Sequence, residues 1–195
     1  MDYLFFLNSI LLGVGLAMDA FSVSLANGLN EPEMKVERMS LIAGVYAFFQ
    51  FIMPLTGWAL VHTVAEKFKA FEKFIPWIAL ILLLYIGGKM LYEGIKKKSL
   101  EEEENFKGLT FITLIIQGIA TSIDALSVGF TISEYTFLYA LTASLIIALV
   151  TFIICIAGLS IGKKAGTKLS GKASVLGGLI LIFIGIEIFV KGIFF

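Results

Sequence analysis

Apolar residues run in blocks along this chain instead of alternating. Six stretches of about twenty residues are almost wholly apolar, and short polar or charged segments separate them. An α-helix of about twenty residues, rising 1.5 Å per residue, crosses a hydrocarbon core of roughly 30 Å. The pattern therefore predicts an all-α integral membrane protein with six transmembrane helices. A membrane β-barrel would show short alternating segments, and the sequence has none.

The predicted spans run from Tyr3 to Gly28, Met39 to His62, Phe74 to Ile95, Leu109 to Ile132, Phe137 to Ile161 and Val175 to Phe194. Asn27-Gly28 reads as a helix stop, with Asn27 as a cap. The second span contains Gln50, Pro54 and Gly57, and the proline removes one backbone hydrogen bond. Trp77 and Tyr92 stand near the two ends of the third span, as interfacial aromatics do. Polar loops are expected at Glu66 to Lys73 and Lys163 to Lys172, with a short turn at Ser133-Glu134. The first span has no basic region before it and is too long for a signal-peptide core, so it is expected to be retained.

The spans divide into three and three. Phe51, Ile52 and Gly57 match Phe152, Ile153 and Gly158 in the same order; Gly87, Gly94 and Ile95 match Gly185, Gly192 and Ile193. Lys89 and Glu93 match Glu187 and Lys191 with the charges exchanged, so Lys89 and Glu187 are candidates for an ion pair. The expected organisation is a first three-helix repeat over 1–98, a charged linker over 99–107 and a second repeat over 108–195. Three crossings separate equivalent helices, so the repeats are inverted, the plan of many secondary transporters with a site near the midplane.

Composition narrows the function. The chain of 195 residues is 58% apolar, with a mean hydropathy of +0.95. Its formal net charge is zero, which argues against a nucleic-acid partner. Cys155 and His62 are the sole cysteine and histidine, so no metal site rich in either can form. No P-loop and no nucleophile–base set occurs, which predicts neither an ATP-driven pump nor an enzyme, and no resident cofactor. The loops after the first, third and fifth spans hold ten Lys and Arg, against four at most on the other side. The positive-inside rule then places both termini outside.

Candidate chemistry lies in a phrase that occurs twice, Asp19-Ala20-Phe21-Ser22-Val23 and Asp124-Ala125-Leu126-Ser127-Val128. A carboxylate at the centre of a span costs about 2.5–3.5 kcal/mol on insertion scales, so it is a functional candidate by default. Residues three and four apart share a helix face, which groups Asp19 with Ser22 and Gly15, and Asp124 with Thr121, Ser127, Gly118 and Gln117. Glycines on these stripes would let the helices approach closely. With Gln50 the set is all oxygen and carries two negative charges, which suits a hard divalent cation. Gln50 could instead satisfy the carbonyl freed by Pro54. The carboxylates could serve as a proton relay or bind an ammonium group of an exported amino acid. As a structural alternative, they could only join helices in a membrane assembly protein.

Each Asp lies past the middle of its predicted span. Antiparallel helices would then set the two up to roughly 10 Å apart along the membrane normal. One cation bridges them only if a helix is shifted, broken or tilted.

The segments Gly15 to Ser24 and Ala120 to Gly129 resemble the paired motifs of bacterial manganese efflux pumps. Pro54-Leu55-Thr56-Gly57-Trp58, Gly87-Gly88-Lys89-Met90 to Glu93-Gly94, and Leu176-Gly177-Gly178 to Gly185 are similar to that family as well. The resemblance covers nearly the whole chain. It implies a multi-pass protein of the bacterial inner membrane that exports Mn²⁺ as a transported substrate, with Asp19 and Asp124 as the essential carboxylates. It also selects manganese, since oxygen ligands alone would fit magnesium or calcium. The position of Gln50 often holds Glu or His in that family, so an amide here changes the donor set.

Overall fold

A computed structural model describes residues 3–72, 109–169 and 173–194, and positions 77, 80–81, 84–85, 87–88, 91–92 and 95 between them. Among the described residues the structure is helical with no strand. Its helices are α1 (Tyr3–Asn30), α2 (Val36–Glu72), α3 (Phe111–Thr121), α4 (Ile123–Thr131), α5 (Phe137–Leu169) and α6 (Ala173–Phe194). The described positions of the predicted third span are helical too. In lipid no water is at hand for backbone groups, and a helix satisfies them within itself. Three helices are each long and apolar enough to cross a membrane: Tyr3–Asn30, Val36–Val61 and Phe137–Gly166. Phe111–Thr121 and Ile123–Gly129 together form a fourth candidate, bent by 43°.

Several boundaries differ from the sequence expectation. The segments expected as loops after the second and fifth spans are helical as far as Glu72 and Leu169. Lys, Glu and Ala are good helix formers, so nothing stops the helix where the hydrocarbon ends. α1 runs on to Asn30, and Gly28 is not its stop. Gly28 is instead a contact point, where a Cβ would overlap the Leu159 carbonyl and lie 2.9 Å from the Lys163 nitrogen. The linker at 99–107 and the Lys89–Glu187 pair lie outside the described residues and side chains.

Helix α1 is the hub. It packs along α5 and against α6, α2 and α3. Ala17, Ala20 and Ala26 are fully buried on it. α1 and α5 run in the same direction, since Gly13 faces Ile147 and Val150 while Gly28 faces Leu159 and Gly162. A Cβ on Gly158 would lie 2.8 Å from the Phe21 carbonyl oxygen and 3.1 Å from the Ser24 Cβ. The contact of α2 with α4 has the same form: Gly57 seats the Leu126 carbonyl, and its Cβ would lie 3.0 Å from the Gly129 Cα. Close backbone approach through glycine is the usual packing device where lipid offers no hydrophobic drive.

Ile42, Tyr46, Leu114, Cys155, Leu159 and Leu181 from α2, α3, α5 and α6 join Ala20, Val23 and Ala26 of α1 in the main core. Phe48, Leu145, Leu149, Ile153 and Phe183 point outward and are more than half exposed. Such a surface suits lipid and would be an aggregation liability in water. The third predicted span lies on α6. Trp77 meets Phe189 edge-to-face at 4.6 Å, and a Cβ on Gly87 would come within 2.7 Å of the Gly178 oxygen.

Candidate cation site

The fourth predicted span breaks at Ser122, which has φ −116° and ψ 8°. Thr121, Ser122 and Asp124 are residue types whose side chains compete with the backbone for hydrogen bonds. Here they do so: the Ser122 hydroxyl donates to the Gly118 carbonyl at 2.7 Å, and the Thr121 hydroxyl donates to the Gln117 carbonyl at 2.9 Å. The Ser122 N–H closes the last turn of α3 on the Ile119 carbonyl. The Ala125 N–H, which would bond the Thr121 carbonyl in an unbroken helix, meets the Asp124 carboxylate at 2.9 Å.

Gln50 reaches into the break. Its amide nitrogen donates to the Thr121 carbonyl and to the Leu16 carbonyl, each at 3.1 Å. The two carbonyl oxygens are thus no farther apart than twice that distance. Leu16 precedes Asp19 by three residues, and Thr121 precedes Asp124 by three. One buried amide therefore ties together equivalent points of the two Asp phrases. The Gln50 side-chain oxygen is buried and has no hydrogen-bond partner among the described residues. Pro54 lacks the N–H that would bond the Gln50 backbone carbonyl, so both oxygens of Gln50 differ from those of an ordinary helical glutamine.

The expected site residues divide by environment. Gln50 and Thr121 are buried, Asp19 and Ser22 half-buried, Asp124 and Ser127 exposed. Thr121 does not share one continuous helical face with Asp124 and Ser127, because the break at Ser122 separates them. Asp124 stands in the first turn of α4, where the positive end of the helix dipole favours a carboxylate. The Ser22 hydroxyl donates to the Met18 carbonyl at 3.0 Å. A hydroxyl that donates backward keeps its oxygen lone pairs for another partner. Among the described residues no three His, Cys, Asp or Glu gather as a metal cluster.

A groove of about 590 Å³ runs between α1 and the segment from α4 to Tyr135. Asn8 and Tyr135 stand in its wall, and Gly15, Leu16 and Val128 line it one turn from the Asp residues. Gly15 therefore borders open space, where an added Cβ meets nothing within 4 Å. It is not the helix-contact glycine that the stripe suggested. Gly118 seats the Phe49 ring.

On the other side of Gln50 lies a closed polar ring. The Asn27 amide donates to the Tyr46 hydroxyl at 2.7 Å and to the Gln117 side-chain oxygen at 3.0 Å. The Tyr46 hydroxyl donates to that same oxygen at 2.7 Å. All three residues are fully buried, so Asn27 is a core linker and not a cap. Tyr46 was not among the expected residues, although it sits one turn before Gln50 on the same helix face. Nearby, Arg38 pairs with Glu31 at 2.9 Å and donates to the Leu109 carbonyl, while Lys163 donates to the Met34 carbonyl. These bonds tie the first turn of α2 to the residues just before α3, and the α1–α2 loop to Lys163 near the end of α5.

Fold and site together define a multi-pass helical membrane protein with carboxylates inside its spans. The chain belongs to the family described as "Putative manganese efflux pump", whose sequence pattern matches residues 33–189. A protein of Ruminiclostridium cellulolyticum named "Putative manganese efflux pump MntP" is 43% identical over 95% of this chain and 96% of its own. Relatives with the same name from Rippkaea orientalis and Clostridium botulinum are 41% and 40% identical, over 96% and 93% of this chain and 97% and 92% of their own. No solved structure matches the chain.

Proposed function

We propose that this protein exports Mn²⁺ from the cytoplasm as a secondary transporter. Its cation would bind near the midplane between α1 and the break that separates α3 from α4. The observation that carries the reading is Gln50, whose amide links the carbonyls three residues before Asp19 and Asp124. A broken span beside carboxylates is a common place for a cation in transporters. Asp19 and Asp124 supply charge, and Ser22, Ser127, Thr121 and the unpartnered oxygen of Gln50 supply neutral ligands. Mn²⁺ is the cargo, by analogy with the relatives' names, and no resident cofactor is involved.

The working architecture is six spans in two inverted repeats, 1–98 and 108–195, joined by 99–107. Two glycine contacts support it: Gly57 against Leu126 and Gly129, and Gly158 against Phe21 and Ser24. Each member of the first contact is the sequence equivalent of a member of the second. With both termini outside, the groove beside Asn8 and Tyr135 opens outward and the Asn27–Tyr46–Gln117 ring closes the cytoplasmic side. Rocking of the repeats would exchange the two.

Mn²⁺ flux into vesicles of defined orientation tests this. Asp19→Asn and Asp124→Asn should each lower flux at least about 100-fold, since a ligand carboxylate is replaced by a weaker neutral donor. Wild-type flux in either variant sinks the site, and flux of an amino acid in place of Mn²⁺ sinks the cargo.

A further inference from the structure

Most hydroxyls in these helices fold back on their own chain. Thr56, Thr121 and Thr142 each donate to the carbonyl four residues earlier, at 2.8–2.9 Å. This is the default in an apolar setting, because a free hydroxyl finds no other partner. Thr151 departs from it. Its side chain is fully buried in α5, yet its oxygen has no hydrogen-bond partner among the described residues. Buried polar groups without partners are rare enough in folded proteins that each calls for a reason.

The repeat supplies one. Phe51 and Gly57 match Phe152 and Gly158, so Gln50 matches Thr151. The Gln50 side-chain oxygen is the other buried, unpartnered oxygen at that position. Ser144 also keeps an unpartnered hydroxyl, and Ser24 has the Cys155 thiol beside it, but their equivalents are Ala43 and Gly129, which have no polar side chain. Among the described residues, position 50/151 is therefore the one place where both halves bury an orphan oxygen. Gln50 bonds the Leu16 carbonyl, and Leu16 shares a small buried cluster with Ile147, one turn before Thr151 on α5. Ala125, next to Asp124, belongs to that same small cluster.

We propose that Thr151 is a cation-binding residue, the second half's counterpart of Gln50, giving the passage two neutral oxygens between its two carboxylates. The inference rests on the transport reading above. A neutral pair adds ligands without adding charge, which favours a dehydrated divalent cation and still allows it to leave. Thr151 is also a determinant of which ion passes, since a hydroxyl offers a hard oxygen and no soft ligand.

Thr151→Val keeps the shape and removes the oxygen. Purified protein in vesicles should show an apparent KM for Mn²⁺ raised about 10-fold, the lower end of the range for lost metal-site partners. Its thermal stability should be unchanged or higher, because the hydroxyl removed had no partner. Thr151→Ser should restore the KM, and Ser144→Ala should leave it unchanged. A Thr151→Val protein with wild-type KM overturns the inference, and so does one that fails to fold, since that would show the hydroxyl held by the structure. Flux lost in Asp19→Asn but kept in Thr151→Val defeats this proposal alone; wild-type protein without Mn²⁺ flux defeats the transport reading with it.

Discussion

Gln50 uses its amide hydrogens on two carbonyls and leaves its oxygen over. A glutamate at the same position would have no hydrogens to give, so the amide suits a chain that must hold the break shut with this residue. That division of labour was half legible in the sequence. Gln50 stood out as a polar residue in an apolar run, but the carbonyl freed by Pro54, its own, is not one of the two it serves. Tyr46 was not legible as a site residue, because a tyrosine in a span reads as an interfacial aromatic until its partners are known. Its partners make a prediction. Y46F removes the hydroxyl that bridges Asn27 and Gln117 while Asn27 still bonds Gln117. The variant should lose about 1–2 kcal/mol of stability, the value of one or two buried hydrogen bonds. Thermal unfolding in detergent measures it, and an unchanged midpoint would mean that the ring is not closed in the folded protein.

The elements meet through glycines whose role sequence could not assign. Gly15, Gly28 and Gly118 looked like contact, stop and contact; they are groove wall, contact and ring seat. Periodicity shows which residues share a face, but not which face meets a neighbouring backbone. Gly57→Ala would drive a methyl group into the Leu126 carbonyl, and a helix backbone cannot yield there without moving α4. It should destabilise the protein by about 1–3 kcal/mol, the range for overpacked sites. Gly44→Ala meets nothing within 4 Å and should be neutral or stabilising by up to about 1 kcal/mol. Parallel unfolding measurements on the two variants decide this, and equal midpoints would refute the close α2–α4 contact. The break at Ser122 was not legible: the span reads as one helix, and only in the structure do the side chains of Thr121, Ser122 and Asp124 take over backbone hydrogen bonds there. The first span carries Leu16, Ala17 and Asp19 at those places and stays continuous.

For the whole molecule, the direction of export depends on which side of the membrane each connection faces. The proposed orientation has the α1–α2 loop inside and the α4–α5 turn outside, as the lysine count leads one to expect. Glu33 and Glu134 are exposed on those two connections. In a Cys155→Ala background, Glu134→Cys should react with an impermeant maleimide on intact cells and Glu33→Cys only after lysis. The reverse pattern would invert the proposed direction of the groove and the ring.

Hydrophobic runs of about twenty residues determined by themselves that this chain is helical and lives in a membrane, because only helix length and apolarity enter that choice. Two carboxylates in those runs likewise marked the candidate site, because burying charge in lipid is costly wherever the helix goes. Only the tertiary structure decided that the fourth span breaks, that Gln50 closes the break onto α1, and that Thr151 is left with an idle oxygen. These depend on which carbonyl lies within 3.1 Å of which amide. Hydrogen bonding at that range is set by how the helices pack, and residue types along a chain do not encode it.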